Sequence, residues 1–265
     1  MGTIDHLSFG WLTPTLSYLM ACIGAALGLR CTLRALSATG PSRRNWLLTA
    51  AAAIGTGIWT MHFVAMFGFS VDGTELRYQV PLTLLSLLVA VLVVGLGVFV
   101  VGHGAHRGRS LLIGGCVTGL GVAAMHYLGM AAVRMHGTLS YTPGAVALSV
   151  VIAIAAATAA LWAAVTIRTL PAAGGAALVM GLAVSSMHYT GMAAVHVHLD
   201  PARTGLDGAT PMQFIFPLAV GLGSFLFLTS AFVALSPSAQ ERAAYREAGE
   251  LPVEDLHPTA LDRAA

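Results

Sequence analysis

The sequence predicts an all-α integral membrane protein of seven transmembrane helices, built as three repeated helix hairpins plus one C-terminal helix. Three observations lead there. Charged residues make up only 9 % of the 265 residues, against roughly 25 % in an average soluble domain. Apolar runs of about 20 residues, the length that crosses a bilayer, recur from end to end. One Met-His motif returns at nearly equal intervals along those runs.

The runs are Thr13–Leu33, Trp46–Phe69, Val80–Gly102, Leu111–Val133, Gly144–Ile167, Ala172–Val197 and Met212–Leu235. The odd-numbered spans open at Pro14, Pro81, Pro143 and Pro211, where a missing N–H costs nothing because the first turn of a helix leaves it unpaired anyway. The segment before the first span lacks the basic stretch of a cleaved signal and carries Asp5 and His6 instead, so that span is expected to be retained. With the N-terminus outside, Arg30, Arg34, Arg43, Arg44, Arg107, Arg109, Arg168, Arg242, Arg246 and Arg263 fall inside, while Arg77, Arg134 and Arg203 fall outside. Ten of the thirteen arginines on one side select an outside N-terminus and a cytoplasmic C-terminus by the positive-inside rule. The expected organisation is a membrane domain over residues 1–235 and a short cytoplasmic tail over 236–265, disordered or partly helical.

Several function classes drop out. The chain has no lysine, so no retinal Schiff base can form. No aspartate or glutamate lies between Leu76 and Leu199, which leaves carboxylate-driven ion transport almost nothing to work with. The net charge of +2 sits on loops and makes no nucleic-acid footprint. Cys22, Cys31 and Cys116 form no CxxC pair and read as small core residues. No nucleophile–base arrangement or acidic pair is visible, so the chain is not expected to be an enzyme.

The repeat is the informative feature. GTGIWTMHFVAM (Gly55 to Met66), GLGVAAMHYLGM (Gly119 to Met130) and GLAVSSMHYTGM (Gly181 to Met192) share the pattern G-x-x-x-x-x-M-H-[FY]-x-[GA]-M inside the even-numbered spans. His62, His126 and His188 are 64 and 62 residues apart, so the unit is a helix pair. Each histidine lies about 15 residues from the inner start of its helix, which at about 1.5 Å per residue puts all three at one level in the outer part of the membrane. Each shares a helix face with the methionine four residues on, Met66, Met130 or Met192. The glycine seven residues before each histidine lies about 20° away on the same face, and small residues there are expected to let the three even helices approach one another.

Imidazole nitrogen with thioether sulfur is a soft, neutral ligand set that suits copper, Cu(I) in particular, better than magnesium, calcium or manganese. Zinc more typically recruits thiolate or carboxylate, and neither is present at this level. Methionine is also a common apolar filler, and a single membrane histidine can simply hydrogen-bond a neighbouring helix. The weight rests on a costly polar residue standing in every copy. Beyond the motifs, His136, His196 and His198 are candidate additional ligands. His196 is expected on the sixth helix, one turn past Met192. His103 and His106 with Arg107 and Arg109 read as an inner topology determinant.

At Met187-His188-Tyr189-Thr190, and in variant form at Met125-His126-Tyr127-Leu128 and Met61-His62-Phe63-Val64, the chain resembles the bacterial MHYT domain. The resemblance covers residues 46 to 197 strongly and implies a sensor of the cell inner membrane that binds copper and responds to oxygen, carbon monoxide or nitric oxide. Carried over by position, the implied metal ligands are Met61, His62, Met66, Met125, His126, Met130, Met187, His188 and Met192. Family members are often fused to cyclic-di-GMP synthase or phosphodiesterase domains or to kinases. No motif of those domains stands in this sequence, so the resemblance implies a standalone form that signals to a separate cytoplasmic protein. The alternatives are a copper-handling or transport protein, and a cytochrome-like protein with histidines on haem, which three equivalent histidines make less economical.

Overall fold

A computed structural model describes residues 4–5, 8–103, 107–200 and 205–236. These hold seven α-helices: α1 (Leu12–Leu36), α2 (Gly40–Met66), α3 (Val80–His103), α4 (Arg107–Ala131), α5 (Pro143–Thr166), α6 (Leu170–Ala193) and α7 (Phe216–Leu235). A π-helical turn, Pro211–Ile215, leads into α7, and its Thr210 cap is reciprocally bonded to Gln213. Six of the seven are long and apolar enough to cross a membrane, and α6 matches them in length with 24 residues. The protein is an all-α, multi-pass membrane protein.

α2 and α4 begin at Gly40 and Arg107, several residues before the apolar runs, because their first turns carry the polar residues that flank a span. The sixth span ends early, at Ala193 rather than Val197. The next residues, Val195–Leu199, form a strand in which Val195 and Val197 are buried and His196 and His198 exposed. The sequence VHVHL alternates with period two, a strand signal hidden inside an apolar run.

Short antiparallel ribbons close each hairpin at its motif end. β1 (Ile4–Asp5) precedes α1 and pairs with β2 (Ser70–Val71), which follows α2. In the same way β3 (Arg77–Tyr78) before α3 pairs with β4 (Val133–Arg134) after α4, and β5 (Gly137–Tyr141) before α5 pairs with β6 (Val195–Leu199) after α6. The repeating unit is therefore strand, helix, helix, strand. The ribbons pair the backbone N–H and C=O groups that end each helix pair and hold the three motif ends at one level.

Helices α1 to α6 form a closed ring: α1 packs on α2 and α6, α3 on α2 and α4, and α5 on α4 and α6. Their shared core contains Trp59, Phe63, Met125, Met130, Met187 and Met192. α7 lies outside the ring, with Leu226 and Val233 packed against Leu27 and Cys31 of α1 and Ala50 and Ala53 of α2. Arg34 donates from Nη2 to the Val233 carbonyl at 2.8 Å. The chain divides into one compact unit, residues 1–233, and a second, 234–265, of which only residues 234–236 are described. The expectation of a disordered or partly helical tail lies outside the described residues, as do His6, His106, Arg203 and the three arginines of the tail.

Candidate metal centre

The Met-His motifs occupy the last turns of α2, α4 and α6, and the ring of helices brings them to one point. Nδ1 of His62 lies 3.0 Å from Nδ1 of His188 and 3.1 Å from Nδ1 of His126, and the third side of the triangle is 3.3 Å. The rings stand edge to face, with centroids 4.8, 5.0 and 5.2 Å apart. All three are fully buried. Among the described residues this is the only group of three or more histidines, cysteines or acids placed to hold a metal ion.

No arrangement of protons satisfies this triangle. In a neutral imidazole Nδ1 is either a donor or an acceptor, and every hydrogen bond needs one of each. Three mutually contacting atoms cannot alternate between two roles, so at least one side must set lone pair against lone pair or proton against proton. A cation at the centre removes the conflict by accepting all three lone pairs. The size fits as well: metal–nitrogen bonds of about 2.0 Å place the nitrogens roughly 3.3 Å apart on a tetrahedral face and roughly 3.5 Å apart in a trigonal plane. The observed 3.0 to 3.3 Å is slightly contracted from the tetrahedral value.

The far sides of two of the rings, His62 and His126, are held by the next helix in turn. A Cβ at Gly129 of α4 would lie 2.6 Å from Nε2 of His62, and one at Gly191 of α6 would lie 2.5 Å from Nε2 of His126. The matching position on α2 is Ala65. In the second and third copies, the [GA] position is therefore where one motif receives the imidazole of another. Both Nε2 atoms are buried without a hydrogen-bond partner, so on that side the two rings are held by shape alone. The aromatic residue after each histidine, Phe63, Tyr127 or Tyr189, meets that ring edge-on at 4.7 to 4.9 Å. Ser149 of α5 gives its proton to the Val146 carbonyl, so the 2.7 Å contact between Tyr127 and Ser149 has Tyr127 as donor. Trp59, one turn before Phe63, donates from Nε1 to Ser86 of α3 at 2.9 Å. These supporting residues were not singled out from sequence, although the [FY] and [GA] positions of the pattern marked two of the three sets.

Met61, Met66, Met125, Met130, Met187 and Met192 are all buried. Helical spacing puts Met66, Met130 and Met192 one turn past the histidines on the same faces. The other candidate histidines stay at the surface ribbons. His196 lies on β6 rather than on a helix, with Nε2 2.8 Å from Oγ1 of Thr142. Nδ1 of His198 lies 3.5 Å from Oγ of Ser140, and the backbone N–H of His136 donates to Oγ1 of Thr74 at 2.9 Å. None of the three joins the triad.

The motif glycines do not sit between the even helices as expected. A Cβ at Gly55 would meet the backbone of Val91 on α3, one at Gly119 the backbone of Ile154 on α5, and one at Gly181 the Sγ of Cys22 on α1. Each therefore seats an odd helix. At 100° per residue, positions four and eight before a histidine turn about 40° and 80° one way, and position seven about 20° the other. The inward face of each even helix follows the first set, which carries the glycine round to the neighbouring odd helix.

The comparisons with known proteins match the same repeats. The family described as MHYT, bacterial signalling protein N terminal repeat, matches at residues 55–115, 119–176 and 181–242. Each match opens on one of the motif glycines and contains one of the clustered histidines. The chain is 40 % identical over 209 residues to the bifunctional diguanylate cyclase/cyclic di-GMP phosphodiesterase MucR of Pseudomonas aeruginosa, covering 76 % of this chain and 30 % of that protein. It is 39 % identical over 198 residues to the cyclic di-GMP phosphodiesterase NbdA of the same organism, covering 72 % and 25 %. It is also 38 % identical over 176 residues to an uncharacterized signaling protein of Caulobacter vibrioides, covering 66 % and 21 %. The chain thus spans less than a third of the length of these relatives. No solved structure matches it. Three matched repeats that cover more than half of the chain, each carrying one corner of the buried triangle, place it in the MHYT family of bacterial membrane signalling repeats.

Proposed function

We propose that this chain is a membrane sensor that holds copper on His62, His126 and His188, with the motif methionines as further ligands, and reads a diatomic gas or the redox state there. The N-terminus is outside and the C-terminus cytoplasmic, so the triad lies toward the outer face. The observation that carries the reading is the odd-membered Nδ1 triangle, whose conflict a cation relieves. Copper supplies a redox-active cation that accepts imidazole and thioether together. Each even helix contributes one imidazole, and Gly129 and Gly191 hold two of the rings in place. A shift in the preferred geometry of the triad therefore favours one packing of α2, α4 and α6 over another, by no more than the ligand's differential affinity for the two. That change reaches the cytoplasmic ends of the helices, where a signalling protein reads it.

Two features weigh against the alternatives. Nitrogens 3.0 to 3.3 Å apart leave no space for a porphyrin between them. Below the triad the inward rows are Ile58, Val122 and Val184, then Ile54, Thr118 and Met180, which offer no ladder of ligands for a travelling ion. The test is carbon monoxide binding to Cu(I)-loaded protein in detergent. The account predicts one C–O stretch in the infrared, absent from His126→Ala/His188→Ala. Copper-loaded protein that shows no such band contradicts gas binding and leaves the metal assignment standing.

A further inference from the structure

Beneath the triad, toward the opposite ends of the helices, the bundle contains a cavity of about 60 Å³. Its position follows from the repeat. Ile58, Val122 and Val184 stand four residues before the three histidines, and Ile54, Thr118 and Met180 stand eight before, and all six line it. The cavity therefore starts about one turn, or about 6 Å, below the histidines. α1 and α5 complete its walls largely with alanines, Ala21, Ala25, Ala153 and Ala157 among them, and α3 adds Val94 and Val98.

The volume is several times the roughly 10–15 Å³ that admits one water-sized sphere. A buried water also needs about two to four polar partners. The lining residues carry one polar side chain, Thr118, whose Oγ1 already donates to the Val93 carbonyl at 3.4 Å. Space of this kind stays dry and takes apolar solutes. The walls are mainly branched aliphatic and alanine side chains, carried on the packed helices of the ring.

From this we infer that the cavity is a binding site for a small apolar molecule of one to a few heavy atoms, taken up from the solute dissolved in the bilayer. Xenon is the probe of that class. The binding itself needs no metal; that the site serves as an antechamber to the triad rests on the sensor reading above. The distance of one turn lets a bound molecule bear on the imidazoles through Ile58, Val122 and Val184 without touching them.

The test uses the metal-free 265-residue chain in detergent and ¹²⁹Xe exchange NMR, with empty micelles as the baseline for partitioning. Wild type is expected to show a saturable xenon site, and Val184→Phe, which fills the cavity from α6, to lose it. Ala157→Leu fills it from α5 and decides the matter should Val184→Phe fail to insert. Equal xenon exchange in wild type and in an inserted, folded filling variant overturns the assignment, as does wild-type exchange no greater than that of empty micelles. Copper binding measured on the same preparations separates the two readings. Xenon binding without copper binding refutes the sensor account alone, and the reverse refutes the cavity alone.

Discussion

Replacing Gly191 by alanine puts a methyl carbon 2.5 Å from Nε2 of His126, with the ring's Cδ2 at 3.1 Å and Cε1 at 3.3 Å. Ordinary contact begins at 3.4 Å, so the imidazole must retreat by about 0.9 Å or α6 must shift by as much. Metal–ligand distances tolerate deviations of about 0.2 Å, so a displacement of that size takes Nδ1 of His126 out of bonding range of an ion held by the other two. Groups that orient a ligating histidine typically change metal affinity by about 10- to 100-fold when altered, and Gly191→Ala is expected to weaken Cu(I) binding within that range. Competition against a chromophoric Cu(I) chelator in detergent measures it. Gly174→Ala serves as the control on the same helix, because a Cβ there meets nothing within 4 Å. Gly129→Ala should repeat the effect through His62, where the approach is 2.6 Å. Wild-type copper affinity in a correctly inserted Gly191→Ala protein would refute the claim that these glycines hold the triad.

Three further outcomes follow from the same geometry. His196→Ala should change copper affinity less than about twofold, because that side chain is exposed on β6 and bonded to Thr142; a larger loss in the chelator assay returns it to the site. Gly119→Leu drives a side chain into the backbone of Ile154 and should destabilise the α4–α5 contact by about 1–3 kcal/mol, the usual cost of overpacking. That would appear as a lower midpoint in detergent thermal unfolding, and an unchanged midpoint counts against the close approach. The third concerns Tyr78 on β3, whose burial pushes its phenol above its ordinary pKa of 10.0. The unfolded chain then ionises first, so stability is full below about pH 10 and declines as pH rises toward the raised native value. Tyr78→Phe should flatten that alkaline decline in pH-dependent unfolding, and an identical decline would assign it to other groups.

The membrane class, the helix pairs and the histidines were legible in the sequence because each follows from a local pattern: apolar runs and a motif repeated every 62 to 64 residues. A threefold repeat also implies that equivalent residues meet on an axis, which made the triad readable before any coordinate. The ends of the spans were less legible. Residues 195–199 continue the apolar run of the sixth span, which hides their period-two alternation, and pairing with β5 sets them as a strand. The glycines were assigned the correct importance and the wrong partners, because a 20° offset from histidine matters only once the inward face is known to drift the other way. The cradling of His62 by Gly129 and of His126 by Gly191 depends on which helix follows which around the ring. No single repeat carries that information.

On the proposed function, three imidazoles share one copper ion through Nδ1. X-ray absorption on protein loaded with one equivalent of Cu(I) tests it most directly. The account predicts a first shell with three nitrogen scatterers at about 2.0 Å, the distance range of metal–imidazole bonds, with imidazole outer-shell scattering that is lost in His126→Ala/His188→Ala. A shell without imidazole scattering, or one unchanged in the double variant, contradicts it.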